Sequence, residues 1–464
     1  MFAAHAERYS RKKNDAYLNQ AIIDDAAQFG APDVIAWYER PLVKKVRQVR
    51  AGQLSTAADP EDLPRYHLRQ FDIPGPYRFT AVRHHISHAA AGYYTSGFED
   101  ACVVTVDGIG EWDCSAIGVY SKAGYRSMRR TRYPHSIGLL YSAFTKRCGF
   151  VPNDGEYSMM GFAPYGEPRY VDAIFDDFVE RLDGDYRLKQ NVHRGIGDWM
   201  PDAKPADLAA SIQKVTEIVL LDVTQWSRRA SGSANLVLMG GVALNCVANS
   251  IITRESGFDR VWTMPNPGDA GSSLGAAATV IGRQLHWDGP YLGTNINRRY
   301  RHRDIVEALV NDHVVGVANG RAEFGPRTLG NRSLLAHPCG HHIQDRVNEI
   351  KGRELFRPFA PAVLAEHAHE YFELPVKHSP YMQLVARCRR PDLVPAITHV
   401  DGTSRVQTVT RSQNPNFYDV ISAFYERTGC PMVLNTSLNR KGEPLVNSWN
   451  DAVAFGSATG VTVF

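Results

Sequence analysis

The feature that most constrains this chain is a unit used three times. An apolar strand or tight turn gives way through glycines to an acidic or amide side chain, and a helix of small residues follows. Residues 101–106 (ACVVTV) form a continuous apolar strand that ends in Asp107-Gly108-Ile109-Gly110-Glu111-Trp112. Residues 236–239 (LVLM) form a second strand, and Gly240-Gly241-Val242-Ala243-Leu244-Asn245 turns sharply into a helix. Pro267-Gly268-Asp269-Ala270-Gly271 opens the third unit, again ahead of an alanine-rich helix. One glycine-rich turn can be purely structural. Three together put acidic groups and exposed amides at several strand ends, where nucleotides and metal ions are commonly held.

A histidine pair lies just ahead of the first unit. Arg83-His84-His85-Ile86-Ser87-His88 leads into an alanine-rich stretch that begins a helix. On a helix His84 and His88 stand at i and i+4 and share a face, the spacing of a metal pair. A lone pair of this kind is more often structural, and Asp107 close by is what favours ligation. Residues 207–229 carry apolar side chains at helical spacing and read as core. Residues 287–297 break the pattern with glycine and proline and read as an interdomain linker.

Past the middle, Gly320 to Ser333 (GRAEFGPRTLGNRS) sets Arg321, Arg327 and Arg332 among Gly325, Pro326 and Gly330. Glycines let backbone amides approach a ligand, and guanidinium forks match the oxygens of phosphate or carboxylate in pairs. The stretch suggests an anion site; the plain alternative is a solvated basic loop. Lys351 and Arg405 also sit among turn residues beside apolar strands, and a short strand runs into Asn435-Thr436-Ser437. A small buried anion with several cationic partners would account for that repetition.

At 464 residues two or three domains are expected. A net charge of +3 is too small to imply a polyanion partner by itself. Seven scattered cysteines without a CxxC pair fit reduced thiols, no apolar run reaches membrane-spanning length, and the start lacks a signal-peptide core, so a cytoplasmic protein without membrane contact is expected.

HHISHAAAGYYTSGF, VDGIGEW, HSIGLLYSAFT, GEYSMMGFAPYG, MGGVALN, GDAGSSLGAA, GRAEFGPRTLGNRS, KGRELFRPFAP, HVDGTSRVQT and LNTSLNRKGEPLV follow one another along nearly the whole chain. Together they resemble the O-carbamoyltransferase family of nodulation-factor and antibiotic (tobramycin, cephamycin) carbamoylation. The resemblance implies an α/β chain of two domains. An actin/sugar-kinase-like carbamoyl-transfer domain would span residues 1–288, a linker residues 289–300, and a YrdC-like carbamoyl-adenylate-forming domain residues 301–464. It implies ATP and carbamoyl phosphate as reactants, a hydroxyl-bearing acceptor, and a divalent metal, iron ahead of magnesium. A homodimer is compatible with it.

By the same resemblance, Arg327, Lys351, Arg405 and Ser437 are the catalytic residues, joined by Arg353 and Asn435 in binding carbamoyl phosphate. Gly108, Gly240, Gly241, Asn245 and Gly268 would lie by the nucleotide, and His84, His88, Asp107 and Asp269 would hold the metal. Members of the family usually open with a strand carrying a His-Asp pair, and this sequence starts after it, so that strand is expected to be missing. Ser158 stands where many members carry lysine.

Two other readings are threonylcarbamoyl transfer to tRNA and a nucleotide-binding module without turnover. Aminoglycoside, macrolide, cephem and lipo-oligosaccharide hydroxyls and hydroxymethylated pyrimidines all lie within the family's range of acceptors. The basic stretches 40–50, 126–132 and 298–303 tilt the expectation toward a nucleotide or nucleic acid.

Overall fold

A computed structural model describes residues 1–15, 17–60, 63–311 and 313–464, the side chain of residue 341 aside. The chain divides into two compact units, one of residues Ala27–Trp287 and one of Met1–Ala26 with Asp288–Phe464. Both are α/β.

In the unit of residues 27–287, the expected apolar strand is β1 (Ala101–Gly110), followed by β2 (Asp113–Ser121) and β3 (Gly124–Arg132). Strands β4 (Asn235–Met239) and β5 (Arg260–Trp262) complete a sheet of order β3-β2-β1-β4-β5. The first three strands form an antiparallel meander, while β1, β4 and β5 run parallel. Helix α1 (Pro41–Arg50) precedes the sheet in sequence, α2 (His84–Ser96) and α3 (Pro205–Ser231) pack on it, and α4 (Asp269–Ile281) packs on α2. Cys102, Val103 and Val104 are fully buried, as a central strand covered on both faces requires. On α3, Leu208, Ile212, Val215, Val219 and Val223 recur at helical spacing and are buried, so this face is core.

Small residues bring α2 and α4 together. A Cβ on Gly275 of α4 would stand 1.7 Å from the Ser87 carbonyl oxygen of α2, so no larger residue fits this crossing. That approach sets the first residue of α4, Asp269, against the first turn of α2.

The second unit holds β6 (Tyr291–Ile296), β7 (Val314–Ala318), β8 (Gly320–Glu323), β9 (Arg332–Ala336), β10 (Ala360–Leu364), β11 (Gln407–Val409) and β12 (Met432–Ser437). Its main sheet has the order β7-β9-β12-β10-β11, antiparallel except for β10 and β11. Helices α5 (His341–Lys351) and α6 (Pro415–Thr428) contribute Ile343, Val347, Phe417, Val420, Ile421 and Phe424 to its core.

The stretch expected to be a linker contains β6, which pairs antiparallel with β8. The first 26 residues, grouped in the sequence reading with residues up to 288, pack with the second unit. Buried Arg8 donates to the carbonyls of Glu323 (2.5 Å) and Gly325 (2.7 Å), and Arg11 to that of Leu445 (2.6 Å). Sequence proximity gave no sign of these pairings, which span more than 300 residues.

Candidate active site

The first unit gathers His84, His88, Asp107 and Asp269, one ligand atom from each lying within 4.8 Å of all the others. Helix α2 supplies both histidines from one face, β1 supplies Asp107 and the start of α4 supplies Asp269. His84 Nε2 stands 3.0 Å from Asp107 Oδ2 and 3.4 Å from Asp269 Oδ1; His88 Nε2 stands 3.4 and 3.3 Å from the same two oxygens. The two Nε2 atoms are 3.0 Å apart. His88 Nδ1 faces the Pro267 carbonyl at 3.0 Å, which fixes its ring with Nε2 toward the cluster, as metal-bound histidines require.

Burial works against charge on both imidazoles, but Asp269's charge and hydrogen bonds to Asp107 and Asp269 outweigh it for His84, which is held well above its ordinary value. His88 is raised too: burial opposes charge, and hydrogen bonds to Asp107 and Asp269 prevail. For Asp107, burial would raise the carboxyl, and hydrogen bonds from His84 and His88 instead hold it well below its ordinary value. Asp269 opens the cluster to solvent, its side chain 56% exposed.

The donor set fits a divalent ion. Ligand atoms about 2.1 Å from an ion lie roughly 3 to 4 Å from one another, and two imidazoles with two carboxylates suit iron, zinc or manganese in preference to softer ions. The spacing among the four groups is 3.0–3.4 Å where they pair.

The glycines expected beside a nucleotide border this cluster. Gly240 has φ 93°, and a Cβ there would stand 2.1 Å from the Val106 carbonyl oxygen. Its amide donates to Pro267 O (2.9 Å), and the Gly241 amide donates to Asp107 Oδ1 (3.1 Å). Gly268 packs next to Gly241, and the Gly108 carbonyl accepts from Ser136 Oγ at 2.6 Å. Asn245 caps a helix through Ala248 N–H (3.1 Å) and pairs with Gln213 at 3.0 and 3.2 Å. Its amide is thus committed within the fold.

Sequence reasoning missed Glu39 and gave Glu111 no role. Buried Glu39 places Oε2 3.9 Å from His84 Nδ1 and pairs with Lys44 at 2.8 Å. Glu111 Oε1 accepts from the His84 amide (3.3 Å) and the Arg40 amide (2.8 Å). Glu111 stood in the VDGIGEW motif, and Glu39 ended the run VIAWYE. Only the tertiary contact distinguishes them from surface acids.

In the second unit the arginine-rich stretch separates into different roles. Arg332, fully buried, donates to the carbonyls of Asn319, Gly320, Asn331, Thr294 and Asn447. Arg321 donates to those of Gly293, Leu292 and Met1. Both hold backbone. Arg327 is half-buried and precedes Thr328, whose carbonyl accepts from Asn435 Nδ2 at 3.1 Å.

Asn435 also donates to Gln407 Oε1 (2.8 Å), and Gln407 donates to Leu329 O (3.2 Å). Arg405 lies two residues before Gln407, next to this network in sequence. Among the described residues Asn435 Oδ1 is buried without a donor. Lys351 Nζ, also buried, donates to the carbonyl and hydroxyl of Ser437 and to the carbonyl (2.9 Å) and Oδ1 (3.1 Å) of Asn439. Burial first, then Arg353 and Arg357, pushes Lys351 well below the ordinary lysine range. Arg353 donates to Asn348 Oδ1 (2.7 Å) and stacks over Phe359. The structure therefore joins Lys351 to Ser437, and Asn435 to the loop after Arg327.

An α/β protein with a His2Asp2 cluster at strand and helix ends in one unit, and a cation-rich polar network in the other, has the parts of a group-transfer enzyme. Residues 68–278 match the family model Carbamoyltransferase N-terminus, and residues 306–464 match Carbamoyltransferase C-terminus. Nodulation protein NolO of Bradyrhizobium diazoefficiens is 37% identical, over 80% of this chain and 75% of its own. Protein sll1178 of Synechocystis is 35% identical, over 97% and 89%. The 3'-hydroxymethylcephem-O-carbamoyltransferase of Amycolatopsis lactamdurans is 29% identical, over 100% and 93%. The chain belongs to the carbamoyltransferase family and is an enzyme that transfers a carbamoyl group. Both matched parts are mixed α/β with sheets, as expected of the fold class. Among the described residues no helix is long and apolar enough to cross a membrane.

Proposed function

We propose that this chain is an ATP-dependent O-carbamoyltransferase. In this reading carbamoyl phosphate is hydrolysed to carbamate and inorganic phosphate in the second unit, and the carbamate displaces pyrophosphate from ATP to give a carbamoyl-adenylate. The carbamoyl group then passes to an acceptor hydroxyl in the first unit as AMP leaves and the hydroxyl loses its proton. Adenylation supplies the better leaving group that a neutral alcohol needs, and a dry site limits hydrolysis.

The observation that carries the donor half is Lys351. Its side chain is buried, yet the four oxygens that accept from its ammonium group, two on Ser437 and two on Asn439, are all neutral. Buried cations are stable when an anion faces them. With Arg353 and Arg357 close enough to depress it further, the region carries surplus positive charge that the phosphate of the donor would balance. In this reading Lys351 orients the Ser437–Asn439 turn, Arg327 and Arg405 meet phosphate oxygens, and Asn435 Oδ1 takes an N–H of the carbamoyl group. An –NH2 is the donor that this buried carbonyl lacks.

In the first unit His84, His88, Asp107 and Asp269 would hold a divalent metal, iron being our first choice. Such an ion supplies Lewis-acid polarisation and lowers the pKa of a bound hydroxyl. Glu39 and Pro267 O orient the imidazoles, and Asp269 keeps the side of the cluster nearest solvent.

The test follows pyrophosphate release and the fate of radiolabelled carbamoyl phosphate in the presence of ATP and metal. Pyrophosphate is expected from wild type, with a loss of about a hundredfold in Arg327→Ala. No pyrophosphate from carbamoyl phosphate and ATP would sink the reading. Turnover that instead needs threonine and bicarbonate would establish the threonylcarbamoyl alternative.

A further inference from the structure

A cleft of about 1030 Å³ opens in the unit of residues 27–287 and is unusually rich in arginine. Arg40 and Arg50 reach it from the two ends of α1, Arg130 and Arg132 from the end of β3, and Arg194 from the loop beside His193. Among the described residues two acids, Glu111 and Asp113, line the cleft with these five guanidinium groups. Glu111 binds Arg40 through Nε (3.0 Å) and Nη2 (2.5 Å), while Asp113 is shared by Arg130 (3.7 Å) and Arg132 (3.5 Å). Among the described residues neither Arg50 nor Arg194 has an acidic partner. Arg50 lies over the Trp112 ring, 5.7 Å from its centroid, and Tyr133 adds a second aromatic wall.

We propose that this cleft binds the phosphate of the hydroxyl acceptor, and that the acceptor is a small phosphate ester on a sugar or nucleoside; the acceptor role rests on the carbamoyl-transfer reading. Guanidinium forks converging from three segments suit the oxygens of phosphate, and the aromatic walls suit a ring. The volume is that of a small-molecule site.

The cleft also borders the metal cluster. Strand β1 carries Asp107 and runs on through Gly110 to Glu111. The Glu111 carboxylate takes N–H groups from both His84 and Arg40, so one side chain belongs to both walls. A Cβ on Gly110 would stand 2.0 Å from the His84 ring.

A nucleic acid needs a basic track along the surface. Arg129 stacks 3.7 Å over Trp226, Arg298 stacks 3.9 Å over Trp449, and Arg301 pairs with Asp304. The charge is gathered in a bounded cleft.

The test measures binding of ribose 5-phosphate, uridine 5'-monophosphate, ribose and an eight-nucleotide oligothymidylate to the full chain. Wild type is compared with Arg50→Ala and Arg194→Ala, which disturb no ion pair among the described residues. At least one of the two monophosphates is expected to bind, weakening about tenfold in each variant and with added salt, while ribose binds too weakly to measure. Which monophosphate binds tells sugar from nucleoside. Equal binding by wild type and both variants, equal binding of ribose, no binding of either monophosphate, or binding of the oligonucleotide alone would each overturn the proposal. Pyrophosphate release from carbamoyl phosphate and ATP is followed separately in the same three proteins and is expected to be unchanged. Its absence from all three, with monophosphate binding intact, would remove the ATP-dependent reading and leave the anion site standing.

Discussion

At the scale of single residues, two arginines five positions apart, Arg327 and Arg332, do unlike work. Arg332 is fully buried against five backbone carbonyls, and burial pushes its guanidinium down to about 10, so it belongs to the fold. Arg332→Met is expected to cost about 3 kcal/mol by orphaning those acceptors, read from urea unfolding. Arg327→Ala, at a half-buried loop position, is expected to cost less than about 1 kcal/mol and to show its effect in the donor reaction. If the two variants are equally destabilised, this separation is wrong. The sequence displayed all three arginines of the stretch as equivalents, because residue type alone does not say whether a guanidinium faces a ligand or the chain's own carbonyls. The metal cluster was more legible. Histidines at i and i+4 must share a helix face, whatever the tertiary structure, and the Asp-Gly turns marked strand ends.

Elements set the geometry that residues use. The four metal-cluster side chains come from two helices and a strand, and glycines fix how closely these approach. Gly110→Ala would drive a methyl into the His84 ring, 2.0 Å away, and Gly275→Ala would collide with the Ser87 carbonyl at 1.7 Å. Both variants are expected to lower metal affinity at least tenfold, and Gly275→Ala also to destabilise the α2–α4 pair by about 2–4 kcal/mol. Equilibrium dialysis with iron(II), alongside thermal unfolding, checks both. Wild-type metal affinity in Gly110→Ala would mean that the His84 ring is not held by this contact. The alternating strand and helix pattern was readable because buried strands leave continuous apolar runs. The strand inside the expected linker was not, since Tyr291–Ile296 is short, contains Gly293 and earns its pairing only from β8, nearly thirty residues on.

For the whole molecule, two compact units with separate apolar cores are expected to unfold in separable steps, seen by calorimetry. Metal should move only the step of residues 27–287, by about 2.7 kcal/mol at a hundredfold excess over Kd. The pH dependence has a definite sign. In metal-free protein the raised His84 and His88 contribute stability that is full below their ordinary 6.5 and is lost as pH climbs through their higher folded range. Asp107, held low, contributes above its ordinary 3.8 and loses this only as pH falls through its lower folded range. Chelated protein should therefore lose stability in that step as pH rises past 6.5, and metal should restore it by taking the protons' place. A metal-free step that is flat across this range, or unchanged in His88→Ala, would count against the cluster as described.

By itself the sequence determined the apolar strands at residues 101–106 and 236–239, the helix face carrying both histidines and the run of motifs that mark a carbamoyltransferase, since each depends on near neighbours and periodicity. Only the tertiary structure decided that residues 1–26 pack with the second unit, that Arg332 and Arg321 serve the backbone, and that Glu39 and Glu111 border the metal cluster. The same holds for the arginines of the cleft. Their convergence comes from α1, β3 and a loop after residue 190, and charge scattered over 150 residues becomes a site only when folding brings it around one cavity.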